Sequence, residues 1–186
     1  WGRNHQVVDF INSHENSTYV PGIDLSESIT ATTDMSEALR GADLVAVAVP
    51  VAAIRDTVSS ASAYLGPDAV CLSLAKGLEL ETHRTVHEVI VEASGMDASR
   101  VAVLSGPNLS REIAEHNPTA TVVACSDTDV ATAIAIASHN PYFRPYVSSD
   151  VLGCEIAGAT KNVIAVAIGA AEGMGLGINT RSTLIT

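Results

Sequence analysis

The sequence predicts an α/β protein in which a mostly parallel sheet carries helices on both faces and is followed by the start of an all-α second domain. Two observations predict this fold class. Short apolar runs of strand length alternate with helical stretches as far as residue 150, which is typical of βαβ units. The strand runs are almost continuously apolar, as parallel strands buried on both faces are. Beyond residue 150 the strand pattern stops, so we expect one domain over 1–150 and the beginning of another over 151–186.

The first predicted elements form one βαβ unit with a short helix before it. Residues 34–43 carry an aspartate that can cap a helix and a glycine that can end it. LVAVAVP, residues 44–50, is an apolar run that ends at a proline and is predicted to be a buried strand. A helix over 52–65 and a second buried strand over 69–75 follow, separated by a Gly-Pro-Asp turn.

The same alternation continues to residue 150. The predicted elements are a helix at 82–94, a strand at 100–106, a short helix at 108–116, a strand at 119–126 and a helix at 127–138. A last strand at 142–149 contains a proline, which cannot donate to a ladder, and is therefore expected at an edge. A helix over 151–172 comes next, and the glycines of GMGLG, residues 173–177, are expected to end it before another helix begins.

Composition and charge narrow the classes of partner. The net charge of −11 argues against nucleic acid and an anionic membrane, and any phosphate site must be a local basic pocket. The apolar helix at 156–171 is short for a membrane span and contains a lysine, so we expect no membrane insertion. No signal peptide is evident, the three cysteines lie among apolar neighbours, and no spacing suits a metal. We therefore expect a cytoplasmic protein with reduced thiols and no metal site.

The two lysines are the most unusual basic residues of the chain. Eight of the ten basic side chains are arginines, and only Lys76 and Lys161 are lysines. Unlike arginine, a lysine can exchange protons near neutral pH when burial lowers its pKa, by roughly 3–5 units in extreme cases. Lys161 lies in IAGATKNVIAV, residues 156–166, which is predicted to be a buried helix. A functional role is one interpretation of Lys161. The alternatives are that its side chain reaches solvent from the helix edge or pairs with Glu155.

Three loops that follow predicted strands are candidates for a binding site. They begin at VP (49–50), AKGLE (75–79) and SGPN (105–108). In an open parallel sheet, ligands bind beyond the carboxyl ends of the strands, so these loops are expected to meet. Lys76 lies in the second loop, where a solvated loop lysine is the alternative interpretation. In the third loop a glycine allows close backbone approach, and N–H groups at the start of the next helix suit an anion.

Together these stretches resemble one enzyme family, the bacterial NAD(P)-dependent glycerol-3-phosphate dehydrogenases. The resemblance is carried by YVPGIDLSESITATTDMSEAL (19–39), ADLVAVAVP (42–50), LAKGLE (74–79), VLSGPNLSREIAEHNPTA (103–120) and EIAGATKNVIAVAIGAAEGMGLGINTRSTLIT (155–186). It implies a Rossmann-like domain over 1–150 that binds NADP or NAD, and a helical substrate domain that begins at 151. It also implies interconversion of dihydroxyacetone phosphate and sn-glycerol 3-phosphate by hydride transfer, for glycerophospholipid synthesis.

The resemblance implies a role for each matching residue of the substrate site. Lys161 is expected to bind the substrate and to be the catalytic general acid and base at its C2 oxygen. Lys76 is expected to touch both substrate and cofactor, and two ammonium groups in one pocket should lower each other's pKa. Gly106 and Asn108 match substrate-binding positions. Asn162 follows the catalytic lysine and is expected to orient it.

Three further residues match the cofactor site of the family. Ser110 corresponds to a contact made through the backbone. Arg3 and Asn4 fall where the second strand of the dinucleotide-binding fold is expected to end. An acidic residue there would hold the ribose 2′-hydroxyl of NAD, whereas an arginine suits the 2′-phosphate of NADP. Arg3 therefore favours NADP, with NAD and a simple surface arginine as the alternatives.

Parts of the family pattern are missing or altered in this sequence. The glycine-rich loop is expected before Trp1, and the Arg-Asn element that holds the substrate phosphate is expected after Thr186. We therefore expect a fragment, inactive and poorly stable by itself, of an active reductase that is a homodimer. Asn108 stands where Ser or Thr is usual, and Leu109 stands where an aromatic residue is usual.

Two other functions remain open at the level of sequence. A ketopantoate-type or other 3-hydroxyacid reductase shares the plan of a sheet followed by helices with a helical lysine, although LAKGLE and SGPN favour the first family. The third interpretation is a non-catalytic, truncated nucleotide-binding fragment.

Overall fold

The structure is a computed structural model that describes residues 1–14 and 20–186. Its helices are α1 (His5–Asn12), α2 (Met35–Leu39), α3 (Val51–Ala61), α4 (Val86–Ser94), α5 (Ser110–Ala114), α6 (Thr128–Ser138), α7 (Val151–Gly173) and α8 (Ile178–Ile185). Its strands are β1 (Leu44–Val47), β2 (Val70–Ser73), β3 (Val101–Ser105), β4 (Thr119–Ala124) and β5 (Phe143–Ser148). Tyr19, the first residue of the stretch 19–39, lies outside the described residues.

The five strands form one sheet in the order β1-β2-β3-β4-β5. Three of the four pairings are parallel, and only β3 and β4 run antiparallel, with Ser105 opposite Val122. The predicted mostly parallel sheet is therefore confirmed. Because β1, β2 and β3 run in the same direction, their carboxyl ends meet at one edge of the sheet, and β4 starts near that edge.

Apolar cores cover both faces of the sheet, as predicted. Neighbouring residues of β2 point to opposite faces, so Cys71 belongs to one core and Leu72 to the other. The first core includes Ile54 of α3 and Ile90 of α4, both fully buried. The second core includes Ile134 of α6. Helices therefore pack against both faces.

Helix α4 begins four residues later than the predicted helix over 82–94. Thr85 forms a capping box with Glu88, in which the Thr85 hydroxyl accepts the Glu88 N–H and the Glu88 carboxylate accepts the Thr85 N–H. His83, before the cap, has a φ of 58° and lies in a loop. Gly95 ends the helix with a φ of 70°, a conformation that glycine adopts without steric cost.

The N-terminal residues differ from the sequence-based expectation of a strand end at residues 3–4. The Gly2 N–H donates to the Thr32 carbonyl, but residues 1–4 form no strand. Asn4 instead caps α1, with its side-chain oxygen accepting the Gln6 N–H at 2.9 Å. Helix α1 itself was not predicted.

Helix α7 has the predicted bounds to within one residue but is more exposed than predicted. It has 23 residues and a stretch with mean hydropathy of 1.5, so by length and composition alone it could cross a membrane. The expectation that this helix is too short for a membrane span was therefore wrong. Only Glu155 and Ala171 are buried among its residues, because the helix packs on the sheet along one face and no described residue covers the others.

We expect the buried side chains of α4 to contribute strongly to the stability of this fold. Changing Ile90, which is fully buried, to Ala should lower the free energy of unfolding by about 2–5 kcal/mol, because it removes apolar contacts and leaves a cavity. Ile136 of α6 is 72% exposed. Ile136→Ala is therefore a matched control that should change the free energy of unfolding by less than about 0.5 kcal/mol. Urea denaturation of both variants measures the difference, and equal losses would contradict the assignment of the core.

Candidate functional site

The carboxyl ends of β2 and β3 form a pocket with helix α7. It has a volume of about 270 Å³. The residues that line it, called here the lysine pocket, are Lys76, Ser105, Gly106, Pro107, Ala157, Gly158 and Lys161. Both lysines of the chain therefore lie at one site, together with Gly106. The sequence-based expectation that the loops after the strands meet holds here for the loops after β2 and β3, and the loop after β1 lines a neighbouring cleft together with Lys76.

Lys76 is the more enclosed of the two lysines. Its Nζ donates a hydrogen bond to the Gly106 carbonyl at 2.5 Å, which joins the loops that follow β2 and β3. Burial lowers the pKa of Lys76 below its ordinary value of 10.5, and the positive charge of Lys161 lowers it further. The predicted effect of one ammonium group on the other is therefore present at Lys76.

Lys161 lines the lysine pocket but is exposed, so the prediction of an ammonium group held amid hydrocarbon was wrong. The physical reason is that α7 covers the sheet with one face, and no described residue covers the opposite one. Among the described residues Lys161 forms no ion pair with Glu155, whose carboxylate instead accepts the backbone N–H of His87 at 2.8 Å.

Two glycines let the elements of the pocket approach closely. A Cβ on Gly106 would lie 2.7 Å from Oγ1 and 2.9 Å from Cα of Thr121, so any side chain there would displace the backbone of β4. A Cβ on Gly158 would lie 3.1 Å from Oγ of Ser105 and 3.7 Å from two carbons of the Lys76 side chain. Gly158 therefore allows α7 to rest directly against the end of β3 and the stem of Lys76.

Asn108 and Ser110 lie beside the pocket, in the loop and helix that follow β3. The Asn108 side-chain N–H donates to Thr121 Oγ1 at 3.1 Å, and that hydroxyl donates to the Ser105 carbonyl at 3.1 Å. The side-chain oxygen of Asn108 is buried without a hydrogen-bond partner among the described residues. Ser110 is exposed and is the first residue of α5.

The other predicted site residues lie farther from the two ammonium groups. Asn162 is exposed on α7 next to Lys161. Arg3 is exposed and Asn4 caps α1, and neither lines the lysine pocket. The structure therefore brings Lys76, Gly106 and Lys161 together in one pocket but leaves Arg3 and Asn4 outside it.

Two further clefts lie beside β1 and the loop that follows it. An apolar groove of about 300 Å³ runs along β1 from Trp1 to Val49. A second cleft of about 320 Å³ shares Val49 with this groove and extends to Lys76, which also lines the lysine pocket. Trp1 lines the first of these clefts and Lys76 the second, whereas Arg3 and Asn4 line neither.

Ion pairs join the loop that carries Lys76 to helices α3 and α4. The Arg55 guanidinium of α3 donates to both carboxylate oxygens of Glu79, at 2.8 and 2.7 Å, and to Glu92 of α4 at 2.9 Å. Hydrogen bonds from Arg55 and Thr82 hold the pKa of Glu79 down at about 2. Arg84 also pairs with Glu92. This cluster restrains the segment between Lys76 and α4.

Sequence reasoning did not single out Ser105, Thr121 or Glu155 as site residues. Ser105 lines the pocket and is part of the SGPN stretch, so its position directly after a predicted strand could have indicated it. Thr121 reaches the site only because β4 runs antiparallel to β3, which the sequence pattern does not specify. Glu155 was considered only as a partner for Lys161, and its contact with His87 crosses 68 residues.

Comparison with known proteins places this geometry in a family. Residues 1–131 match the family model described as NAD-dependent glycerol-3-phosphate dehydrogenase N-terminus, and residues 150–186 match the model described as its C-terminus. Curated proteins called glycerol-3-phosphate dehydrogenase [NAD(P)+] are 51% identical in Streptomyces griseus and 52% identical in Corynebacterium diphtheriae, each over the whole of this chain and 56% of the relative. The chain therefore spans about half the length of the curated relatives it matches.

Solved structures of glycerol-3-phosphate dehydrogenases share the fold. The enzyme from Coxiella burnetii superposes with a TM-score of 0.86 at 29% identity, over all of this chain and 56% of that one. The enzyme from Saccharomyces cerevisiae gives a TM-score of 0.85 at 28% identity, over 96% of this chain and 53% of that one. These matches confirm the resemblance and the Rossmann-like fold class predicted from the sequence.

The shared pocket predicts that the pKa of Lys76 depends on Lys161. Lys161→Met should raise the pKa of Lys76 because a nearby positive charge is lost, while burial keeps this pKa below 10.5. The folded pKa lies below the unfolded one, so the unfolded state binds more protons between the two values and the free energy of unfolding rises with pH through that interval. NMR titration of labelled lysine measures the pKa of Lys76 in the variant without ambiguity, because Lys76 is the one lysine that remains.

The matched control for this titration is Arg144→Met, which removes a positive charge from β5, on the edge strand, where the guanidinium stacks on Tyr146. It should leave the pKa of Lys76 unchanged. An unchanged Lys76 titration in Lys161→Met would show that the two ammonium groups do not interact.

Proposed function

The chain belongs to the NAD-dependent glycerol-3-phosphate dehydrogenase family, and on this basis we propose that the protein interconverts dihydroxyacetone phosphate and sn-glycerol 3-phosphate by hydride transfer with NAD(P)H. The observation that carries the proposal is the meeting of Lys76 and Lys161 in one pocket at the carboxyl edge of a parallel sheet. Ligands of open α/β sheets bind at this edge. The product would supply glycerophospholipid synthesis.

The lysine pocket suits a small phosphate ester that carries a ketone. Two ammonium groups form a local positive site in a chain whose net charge is −11, which would otherwise repel an anion. Lys76 is held in place by the Gly106 carbonyl and can contact both substrate and cofactor. Gly106 lines the pocket, and Gly106 and Asn108 bind the substrate beside Lys76.

Lys161 is the general acid of the reduction. A bound nicotinamide cofactor supplies the hydride that adds to C2 of dihydroxyacetone phosphate. Lys161 donates a proton from its ammonium group to the C2 carbonyl oxygen, which becomes the hydroxyl of glycerol 3-phosphate, and in the reverse direction the neutral amine takes that proton back. Asn162, the next residue of α7, orients the lysine.

The cofactor would lie along the carboxyl edge of the sheet, where Lys76 lines both the lysine pocket and the cleft beyond β1. Arg3 and Asn4 would contact the adenosine end, and Ser110 would contact the cofactor through its backbone. The guanidinium of Arg3 suits the 2′-phosphate of NADP, so we propose NADP as the preferred cofactor and NAD as the alternative.

The remaining parts of the proposal concern the whole protein. We propose that residues 1–150 form the cofactor domain and that α7, from Val151, begins the helical substrate domain. We also propose a cytoplasmic homodimer. The supporting observations are that all three cysteines are free thiols, which suits a reducing compartment, and that α7 and α8 expose many apolar side chains that further protein could cover.

The role of Lys161 is tested in the longest natural reading frame that contains this chain. Lys161→Ala should lower kcat for dihydroxyacetone phosphate reduction by about 10²–10⁴-fold, because it removes the proton donor. Lys161→Arg should be nearly as impaired, since arginine keeps its proton. The neighbouring Thr160→Ala is the control and should keep normal turnover. A near-normal kcat in Lys161→Ala would remove this residue from the chemistry.

The cofactor preference is tested at Arg3. Arg3→Gln should lower the ratio of kcat/KM for NADPH to that for NADH by about 10–100-fold, because a hydrogen bond from a charged group to phosphate is lost. Steady-state assays with both cofactors measure this ratio. Arg144→Gln on β5 is the matched charge control and should leave the ratio unchanged. The assignment of Arg3 fails if its replacement affects both cofactors equally.

A further inference from the structure

Glu155 is a buried carboxylate that joins helix α7 to helix α4. Its side chain lies in the second turn of α7 and the residue is 7% exposed. Its Oε1 accepts the backbone N–H of His87, the second residue of α4, at 2.8 Å. A charged group this deeply buried is stable only with a specific hydrogen-bond partner.

The contact completes the N-terminus of α4. The first N–H groups of a helix have no partner within the helix. The capping box satisfies the N–H groups of Thr85 and Glu88 but leaves that of His87. Glu155 provides the missing acceptor from a distant element, and a negative charge at the positive end of the α4 dipole adds to the attraction.

On α7, Glu155 lies on the side of the helix that meets the lysines. Glu155 and Gly158 are three residues apart and both line a narrow space against Lys76. Lys161 follows three residues later, about 9 Å along the helix axis from Glu155 at about 1.5 Å per residue. The anchor and the proposed catalytic lysine are therefore parts of one rigid segment, and a rotation or shift of α7 at Glu155 moves Lys161 relative to Lys76.

We propose that Glu155 is a positioning residue, which fixes the rotation and height of α7 on α4 and so holds Lys161 at the correct place beside Lys76. Its catalytic consequence depends on the proposed function. Gly158 lets α7 lie close to Ser105 and Lys76, but it has no side chain that could fix the helix there. The hydrogen bond from His87 to Glu155 is directional, and it therefore sets the register of the helix.

The test compares replacements of Glu155 that keep or remove the hydrogen-bond acceptor. Glu155→Met fills a similar volume without an acceptor, and Glu155→Gln keeps a carbonyl oxygen that can accept from His87. In the full reading frame, Glu155→Met should lower kcat by about 10–100-fold with little change in KM for the cofactor, because a shift of about 1 Å can cost that much in rate. Glu155→Gln should stay within about threefold of the parent, as expected of an acceptor role.

The control variant is Glu172→Ala, on the same helix, which removes an exposed carboxylate paired with Arg181. It should leave kcat unchanged. The proposal is overturned if Glu155→Met keeps the parent kcat, or if Glu155→Gln is as impaired as Glu155→Met, since the acceptor would then not be the cause.

Amide hydrogen exchange separates this proposal from the proposed function. In Glu155→Met the His87 amide should exchange at least about tenfold faster, since it loses its acceptor, while the Ile90 amide, inside the same helix, stays protected. If the parent protein reduces no dihydroxyacetone phosphate, the proposed function fails, and this exchange still decides whether Glu155 holds α4. An unchanged His87 exchange rate, with or without activity, would overturn the tie between the two helices.

Discussion

Parallel pairing of β1, β2 and β3 is the constraint on which the rest of the structure depends. It brings the carboxyl ends of the strands to one edge, where Lys76 leaves β2 and reaches the carbonyl of Gly106 beyond β3. That single hydrogen bond fixes one ammonium group in space and orients the loop of the other strand. Helix α7 can then approach the edge because Gly158 has no side chain, and β4 can approach the loop after β3 because Gly106 has none. The pocket is thus a consequence of strand direction and of two missing Cβ atoms.

The electrostatics of the site follow from this geometry. An acidic chain repels anions at long range, yet two ammonium groups at the sheet edge make a short-range positive site. Burial and the second charge both lower the pKa of Lys76. The hydrogen bond from Lys76 to the Gly106 carbonyl opposes this effect, because the carbonyl dipole stabilises the ammonium group. An anionic ligand would relieve the remaining repulsion, which gives the pocket a physical reason to prefer phosphate esters over neutral ketones.

The sequence predicted the elements that local pattern determines. The five strands lie within the predicted runs because each is a short apolar segment, and α6 begins directly after Asp127, the first residue of the predicted helix. The start of α4 was missed although Thr85 and Glu88 have the spacing of a capping box. The burial of Lys161 was wrong because an apolar helix pattern shows what the helix could bury, and only tertiary structure shows what covers it. Thr121 and Glu155 were missed because their contacts join distant parts of the chain.

The two lysines are held by anchors of different physical kinds. The loop after Lys76 is restrained by Arg55, Glu79 and Glu92, a cluster of partly exposed charges that salt screens. Helix α7 packs on the sheet and is joined to α4 by one buried carboxylate, where screening is weak and an unmade hydrogen bond is costly. Lys76 is also held by its hydrogen bond to the Gly106 carbonyl. Lys161 is exposed, so its position depends on the register of its helix. Loss of the buried Glu155 contact is therefore expected to disturb the relative placement of the two ammonium groups more than loss of an ion pair in the cluster around Arg55.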